Sequence, residues 1–438
     1  MPQQRSIRAR IRRPRSFLVV AAACLISAIA LSACGSSSSS SSSSSNAAAS
    51  TSSAASSSGS SSASAPSGTP IVTYTFTDVN TQGPQYKNIA ETTRVYGQWI
   101  NAHGGINGHP LDAKFCDALG TPTGATACAR KAVADKAVAV VGSFTFTGDA
   151  IVPTLAAAHI AYFGNCCAIS ASEFTSLDSF PLGNQPLYAV GLVSRAKQDG
   201  CKNIVGVIIQ GAEAFEPLMN NAAKAVGVKI RKYVSLPATA KDYSSQVAQA
   251  TSGGTDCLVM VVSETPYVAW NSAFAQSGST ARMYGPQGNL DSVSIKGFEQ
   301  ATNGDVIAGM FPDLSLPQWA DYRSALKQYN ADPKQDYNSL GGLGTWTAYM
   351  GFAQIVKAMK GPITAETFQK AAATATVNLP GMIPPIDFSK PWNKTGGPKG
   401  YDRIFNHSVV YAKVSGGKIV PLTTSFEDVT NLAEGKPK

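Results

Sequence analysis

The sequence predicts an α/β protein built as two doubly wound lobes with parallel sheets. Three observations carry this. Between Tyr86 and Phe146 the apolar positions switch from helical to strand spacing and back, with glycine turns between them. A second series with the same rhythm starts near Gln185. The part of the chain able to fold is about 370 residues, more than one hydrophobic core ordinarily holds.

Taken from the start, Arg5, Arg8, Arg10, Arg12, Arg13 and Arg15 precede the apolar run Phe17 to Leu31. That run is too short and too basic on its flank for a spanning helix, and it reads as a signal peptide. Leu31-Ser32-Ala33-Cys34 resembles a bacterial lipobox, which implies a lipid carried on Cys34 and a leader covering residues 1–34. Arg12-Arg13 hints at twin-arginine export, although Phe17-Leu18 comes one residue late for that pattern. Residues 35–69 are almost entirely serine, alanine and glycine. Such a segment buries no apolar surface to offset its ordering entropy, so a disordered tether is expected, roughly 30–35 Å end to end.

The first lobe opens with the β-rich run Ile71 to Phe76. Ile89, Thr93, Tyr96 and Ile100 then recur at helical spacing until Gly104-Gly105. Asn107-Gly108 turns the chain into a strand from Leu111 to Phe115. A helix over Thr123 to Lys136, a strand over Ala137 to Val141, a helix over Gly148 to Ala158 and a strand over Ile160 to Phe163 complete four βα units. The second series has helix Pro186 to Gln198, strand Ile204 to Ile209, helix Glu213 to Val226 and strand Val228 to Val234. It continues with strand Cys257 to Val262, helix Pro266 to Gln276, and strands Arg282 to Tyr284 and Val306 to Met310. Helices Trp319 to Tyr329, Leu343 to Met359 and Thr364 to Ala373 follow, and a hairpin around Gly416-Gly417 closes the chain.

Charge and motif spacing exclude several function classes. Removing the six leader arginines from the formal +9 leaves +3, and no basic cluster interleaved with aromatics is present, so nucleic acid is not an expected partner. His103 and His109 lie six residues apart, neither helical nor zinc-finger spacing, and His159 and His407 are isolated, so no metal or cofactor is expected. No Gly-x-Ser-x-Gly elbow occurs. Of eight cysteines, Cys24 leaves with the leader and Cys34 carries lipid, which leaves six in an oxidising compartment. In a sheet ordered 2-1-3, Cys201 and Cys257 stand at the starts of neighbouring strands and can pair. Cys116 and Cys128 form a second candidate pair. Cys166 and Cys167 are then left adjacent, either as a vicinal bridge or as two free thiols.

The order of helix, Asn-Ala-His-Gly-Gly-Ile-Asn-Gly (101–108), strand, acidic turn, helix ending in Ala-Arg-Lys-Ala-Val (129–133), apolar strand and Gly142 resembles the first lobe of type I solute-binding proteins. Among these it is most similar to the branched-chain amino-acid type that feeds ABC importers, and the resemblance runs from about residue 70 to 425. It implies three crossovers, near Gly183, near Pro312 and after about Leu379, that form a hinge. It also implies lobe 1 over residues 70–184 with 314–378, lobe 2 over 185–313 with 379–425, and a tail over 426–438.

The same resemblance implies a ligand site. Tyr86 matches the aromatic residue over the ligand. The turn Ser143, Phe144, Thr145, Phe146 and Thr147 matches the loop that holds a ligand carboxylate, although Phe146 replaces the usual serine. Asn165, Cys166, Cys167 and Ala168 replace a Ser-Pro-Ala-x-Thr turn. Phe215 lies where a tyrosine closes the site, and Glu264 follows the third strand of the second series. Gly285-Pro286-Gln287-Gly288 resembles a Gly-Pro-Glu-Gly turn whose acid pairs with an α-ammonium; here Gln287 is neutral.

The expected role is a monomeric, lipid-anchored receptor that captures an amino acid, amide or related carboxylate and delivers it to an ABC permease. A branched-chain amino acid is disfavoured by Phe146 and Gln287. Two alternatives stand beside this reading: a sensor of the same fold for a signalling partner, and a thiol redox protein acting through Cys166-Cys167.

Overall fold

The computed structural model describes residues 65–81, 84–238 and 240–437. The leader, Cys34 and the tether up to Ser64 lie outside them. Ordering starts earlier than the sequence suggested, because the backbone amides of Ser67 and Gly68 both donate to the Gly108 carbonyl.

The first sheet takes β1 (Ile71–Thr77), α1 (Lys87–Ala102), β2 (Leu111–Asp117), α2 (Pro122–Ala134), β3 (Ala139–Val141), α3 (Gly148–Ala156), β4 (Ala161–Phe163), α4 (Ala171–Thr175) and β5 (Ser179–Phe180). Its strands are parallel, in the order β2-β1-β3-β4-β5. The switch between β1 and β3 opens a crevice at their carboxyl ends.

The second sheet takes α5 (Gln185–Gln198), β6 (Ile204–Ile209), α6 (Glu216–Ala225), β7 (Ile230–Leu236), α7 (Ser244–Thr251), β8 (Cys257–Val261), α8 (Glu264–Ser277), β9 (Arg282–Pro286) and β10 (Val306–Gly309). The chain then forms α9 (Ala320–Gln328), α10 (Leu340–Ala358), α11 (Ala365–Ala372), β11 (Thr376–Val377), β12 (Ile386–Asp387) and α12 (Trp392–Thr395). It ends in β13 (Ser408–Ser415), β14 (Lys418–Pro421), β15 (Glu427–Asp428) and α13 (Thr430–Ala433). The second sheet runs β7-β6-β8-β9-β10-β13-β14, with β13 and β14 antiparallel and β15 paired to β13.

Apolar helices cover both faces of each sheet, as burial on both faces of parallel strands requires. On the first sheet, one face packs Tyr96, Trp346, Tyr349 and Phe352 from α1 and α10, and the other packs Cys128, Ala129, Ile151 and Leu155 from α2 and α3. On the second, Leu187, Val190, Met219 and Leu432 pack one face, and Val247, Tyr267, Trp270 and Phe274 pack the other. Trp319, Tyr322, Leu343 and Phe368 from the helices after β10 belong to the first sheet's core.

The crossing expected after Leu379 lies later. Leu379, Ile383, Ile386 and Phe388 still pack with the first sheet, because Phe388 sits edge-on to Phe163 and Phe180. Trp392 already belongs to the second core. The first and the last crossing segments are tied together. Asn184 Nδ2 donates to the Ser408 carbonyl (2.6 Å), and Asn406 Nδ2 donates to the Leu182 carbonyl (3.1 Å).

Other departures have local causes. α10 begins at Leu340 rather than Leu343, since the Ser339 hydroxyl caps it by accepting from the Gly342 amide. Gly341 permits this close approach: a Cβ there would stand 2.8 Å from Ile89 Cγ1. Helix α7 was not expected because only Val247 and Ala250 of its residues are buried. Disulfides join Cys116 to Cys128, Cys201 to Cys257, and Cys166 to Cys167.

Candidate functional site

A cavity of about 190 Å³ lies where the carboxyl ends of both sheets face each other. From the first sheet it receives Tyr86, at the start of α1, Phe144, just beyond β3, and the Cys166–Cys167 disulfide beyond β4. Tyr86 is set by its backbone amide, which donates to the Asp78 carbonyl at 2.8 Å. Its ring stands edge-on to Phe144, with centroids 4.8 Å apart at 86°. From the second sheet come Gln185, the first residue of α5, Glu264, the first residue of α8, and the loop Gly288 to Asp291 after β9. The segment leading into α10 adds Lys334, Asp336 and Ser339.

The aromatic rings, the disulfide and Leu340 make one wall apolar. Among the polar groups are three acids, Glu264, Asp291 and Asp336, beside one lysine, Lys334, and several amides. Asp291 is 5% exposed; its Oδ1 accepts from the amides of Val293 (3.0 Å) and Ser294 (2.9 Å). Burial pushes its carboxyl up to about 7, and the charges of Glu264 and Asp336 add to the rise. Glu264 is raised by burial and by Asp336, and Asp336 by burial and by Asp313. Gln185 is 9% exposed, and its Oε1 has no hydrogen-bond partner. A buried acceptor left unpaired costs about 1–3 kcal/mol.

The structure divides the residues expected from sequence. Tyr86, Cys166, Cys167 and Glu264 line the cavity. Ser143 does not: its hydroxyl accepts from the Phe76 amide at 2.9 Å and is buried beneath the turn. Thr145 spends its hydroxyl on Asp78 Oδ1 (3.2 Å) and Thr147 (2.8 Å). Phe146 sits edge-on to Phe144 at 5.4 Å and is 52% exposed, outside the cavity lining. Ala168 is buried in the second core, where Phe215 packs against Tyr188 at 5.8 Å.

Gln287 also turns away. Its Nε2 donates to the Phe311 carbonyl (2.9 Å), and its Oε1 accepts from the amides of Met310 and Phe311, each at 3.2 Å. It clasps the second crossing segment. Gln185, Asp291 and Asp336 were not foreseen. Asp291 sits four residues beyond Gln287 and carried a local signal, whereas Asp336 reaches the cleft from the remote α10 lead-in.

A larger cavity of about 330 Å³ opens beside β10, β13 and β14 and shares Gly288, Asp291 and Asp336 with the cleft. Its remaining walls come largely from the second sheet and the crossing segment, whereas the cleft is lined from both sheets. Among the described residues, one His, Cys, Asp or Glu grouping is tight enough for a metal, Cys201, Asp256 and Cys257. Its thiols are consumed in a disulfide.

No curated protein matches the chain in sequence. Solved structures of similar fold include a possible leucine/isoleucine/valine-binding protein from Rhodopirellula baltica SH 1. It is 14% identical, covers 81% of this chain and 97% of its own, and has a TM-score of 0.66. A solute-binding protein of an ABC transporter from R. palustris, in complex with benzoate, is 17% identical over 81% and 95%, with a TM-score of 0.62. A fatty acid ABC transporter substrate-binding protein from Thermomonospora curvata is 15% identical over 85% and 96%, with a TM-score of 0.66. The model of a family described as periplasmic binding protein matches residues 79–401. The chain belongs to the periplasmic binding protein family, extracytoplasmic receptors that bind solutes and catalyse nothing.

Proposed function

We propose that this protein is a lipid-anchored solute receptor that closes its two lobes on a small organic molecule and delivers it to an ABC permease. The observation that carries the reading is the cavity between the strand ends of the two sheets, with an apolar wall of Tyr86, Phe144 and the Cys166–Cys167 disulfide opposite Glu264 and Asp291. Residues from both sheets touch one space, so an occupant favours the closed arrangement over the open one. The amino acids, amides and related small carboxylates expected from sequence are the starting classes for this solute, and the cleft favours small organic molecules that bring hydrogen-bond donors. The body acts as a monomer held to the membrane through Cys34.

Thermal denaturation of the purified protein against a solute panel tests this. At one hundred times its dissociation constant a ligand adds about 2.7 kcal/mol of stability. Saturable one-site stabilisation with no change in the solute supports the receptor; turnover of the solute, or silence from every class, overturns it. The anchor is tested separately. Cys34→Ala is expected to move the protein from the membrane fraction to the soluble fraction, and an unchanged distribution contradicts the anchor.

A further inference from the structure

We infer that the cleft selects an organic cation, an amine or guanidinium on a small apolar or aromatic body, and needs no carboxylate on it. This rests on the receptor reading above and names its ligand class. Three acids, Glu264, Asp291 and Asp336, line the cavity against one lysine, Lys334, whose side chain is exposed. Among the described residues, none of the three acids forms an ion pair. Gln185, at the start of α5, lines the same space.

A carboxylate finds little here. The hydroxyls of Ser143 and Thr145 are spent inside the first lobe. The start of α8 already carries the Glu264 carboxylate, and the start of α10 is capped by the Ser339 hydroxyl. An ammonium supplies donors for the acids, and it relieves the repulsion among them. Tyr86 and Phe144 offer ring faces and edges to the body of the same ligand.

The probes are benzylamine, phenethylamine, agmatine and putrescine, set against benzoate, phenylacetamide and leucine. Calorimetric titration of the purified protein at pH 7.5 is expected to show one-site binding of an amine. Glu264→Gln and Asp291→Asn are each expected to weaken it at least ten-fold. Lys334→Gln, which removes the one lysine lining the cavity, should tighten amine binding, whereas a carboxylate ligand would be weakened by it. Unchanged amine affinity in both acid variants overturns the inference, as does amine affinity lost in Lys334→Gln. Binding of benzoate, the amide or leucine with every amine silent overturns the cation class and leaves the receptor reading standing. Silence from all probes overturns the cation class, and the broader solute panel then decides the receptor reading alone.

Discussion

Asp291 is nearly enclosed; its carboxylate accepts from the Val293 and Ser294 amides and feels the charges of Glu264 and Asp336. With its carboxyl at about 7, the folded protein holds a proton between pH ~4 and ~7 that the unfolded chain has released. Its contribution therefore stabilises the fold at acid pH and is lost as pH rises through about 7. Asp291→Asn, whose Oδ1 keeps both amide partners, should raise the unliganded protein's Tm at pH 8 by roughly 2–3 °C and change it little at pH 4. Amine affinity should move the other way, rising from pH 5 to pH 8 in the parent and flat in the variant. A variant that lowers Tm at pH 8 contradicts this assignment. Gln287 makes a second test. Gln287→Glu sets a carboxylate against the Phe311 carbonyl and should cost about 2 kcal/mol without improving amine binding. Tighter amine binding would return the residue to the cleft. The sequence suggested a neutralised ammonium partner at Gln287 because the motif fixes its position along the chain and not its rotamer. Ser143 misled in the same way, since its partner amide lies 67 residues earlier.

Elements that announce themselves by period and punctuation were legible. The glycine turns after α1 and after Ile106 made the first βα units readable, and their sheet order follows from the same rhythm. Short elements set by tertiary contact were not. β5 has two residues and exists because it pairs with β4, and the β11–β12 ribbon is placed by Phe388. Two disulfides staple different spans, which gives a prediction at this scale. Cys201–Cys257 closes 56 residues and Cys116–Cys128 closes 12. In the chain-entropy account these are worth about 4 and about 3 kcal/mol. Cys201→Ala with Cys257→Ala should therefore lower the denaturant midpoint more than Cys116→Ala with Cys128→Ala. The reverse order would place strain or residual unfolded structure above chain entropy. At the head of α10, Ser339→Ala removes a cap for about 1 kcal/mol and frees the Asn88 amide that donates to it at 2.6 Å.

At the scale of the whole molecule, the two sheets have separate cores joined by crossing segments, the arrangement that the proposed closure on a ligand needs. Fold and role were readable because they rest on rhythm, size and a resemblance spread over most of the chain. The ligand was less so, because Glu264, Asp336 and Gln185 come from distant parts of the sequence and only the fold assembles them. The central claim is that one solute is held by both walls of this cleft at once. Hydrogen–deuterium exchange of the purified protein, with and without the amine that titration identifies, tests it most directly. Protection is expected together at Tyr86 to Ile89 and at Glu264 to Tyr267 and Asn289 to Asp291. Protection confined to one sheet, or centred on Ile307, Val410 and Lys418 beside the larger cavity, would contradict the account.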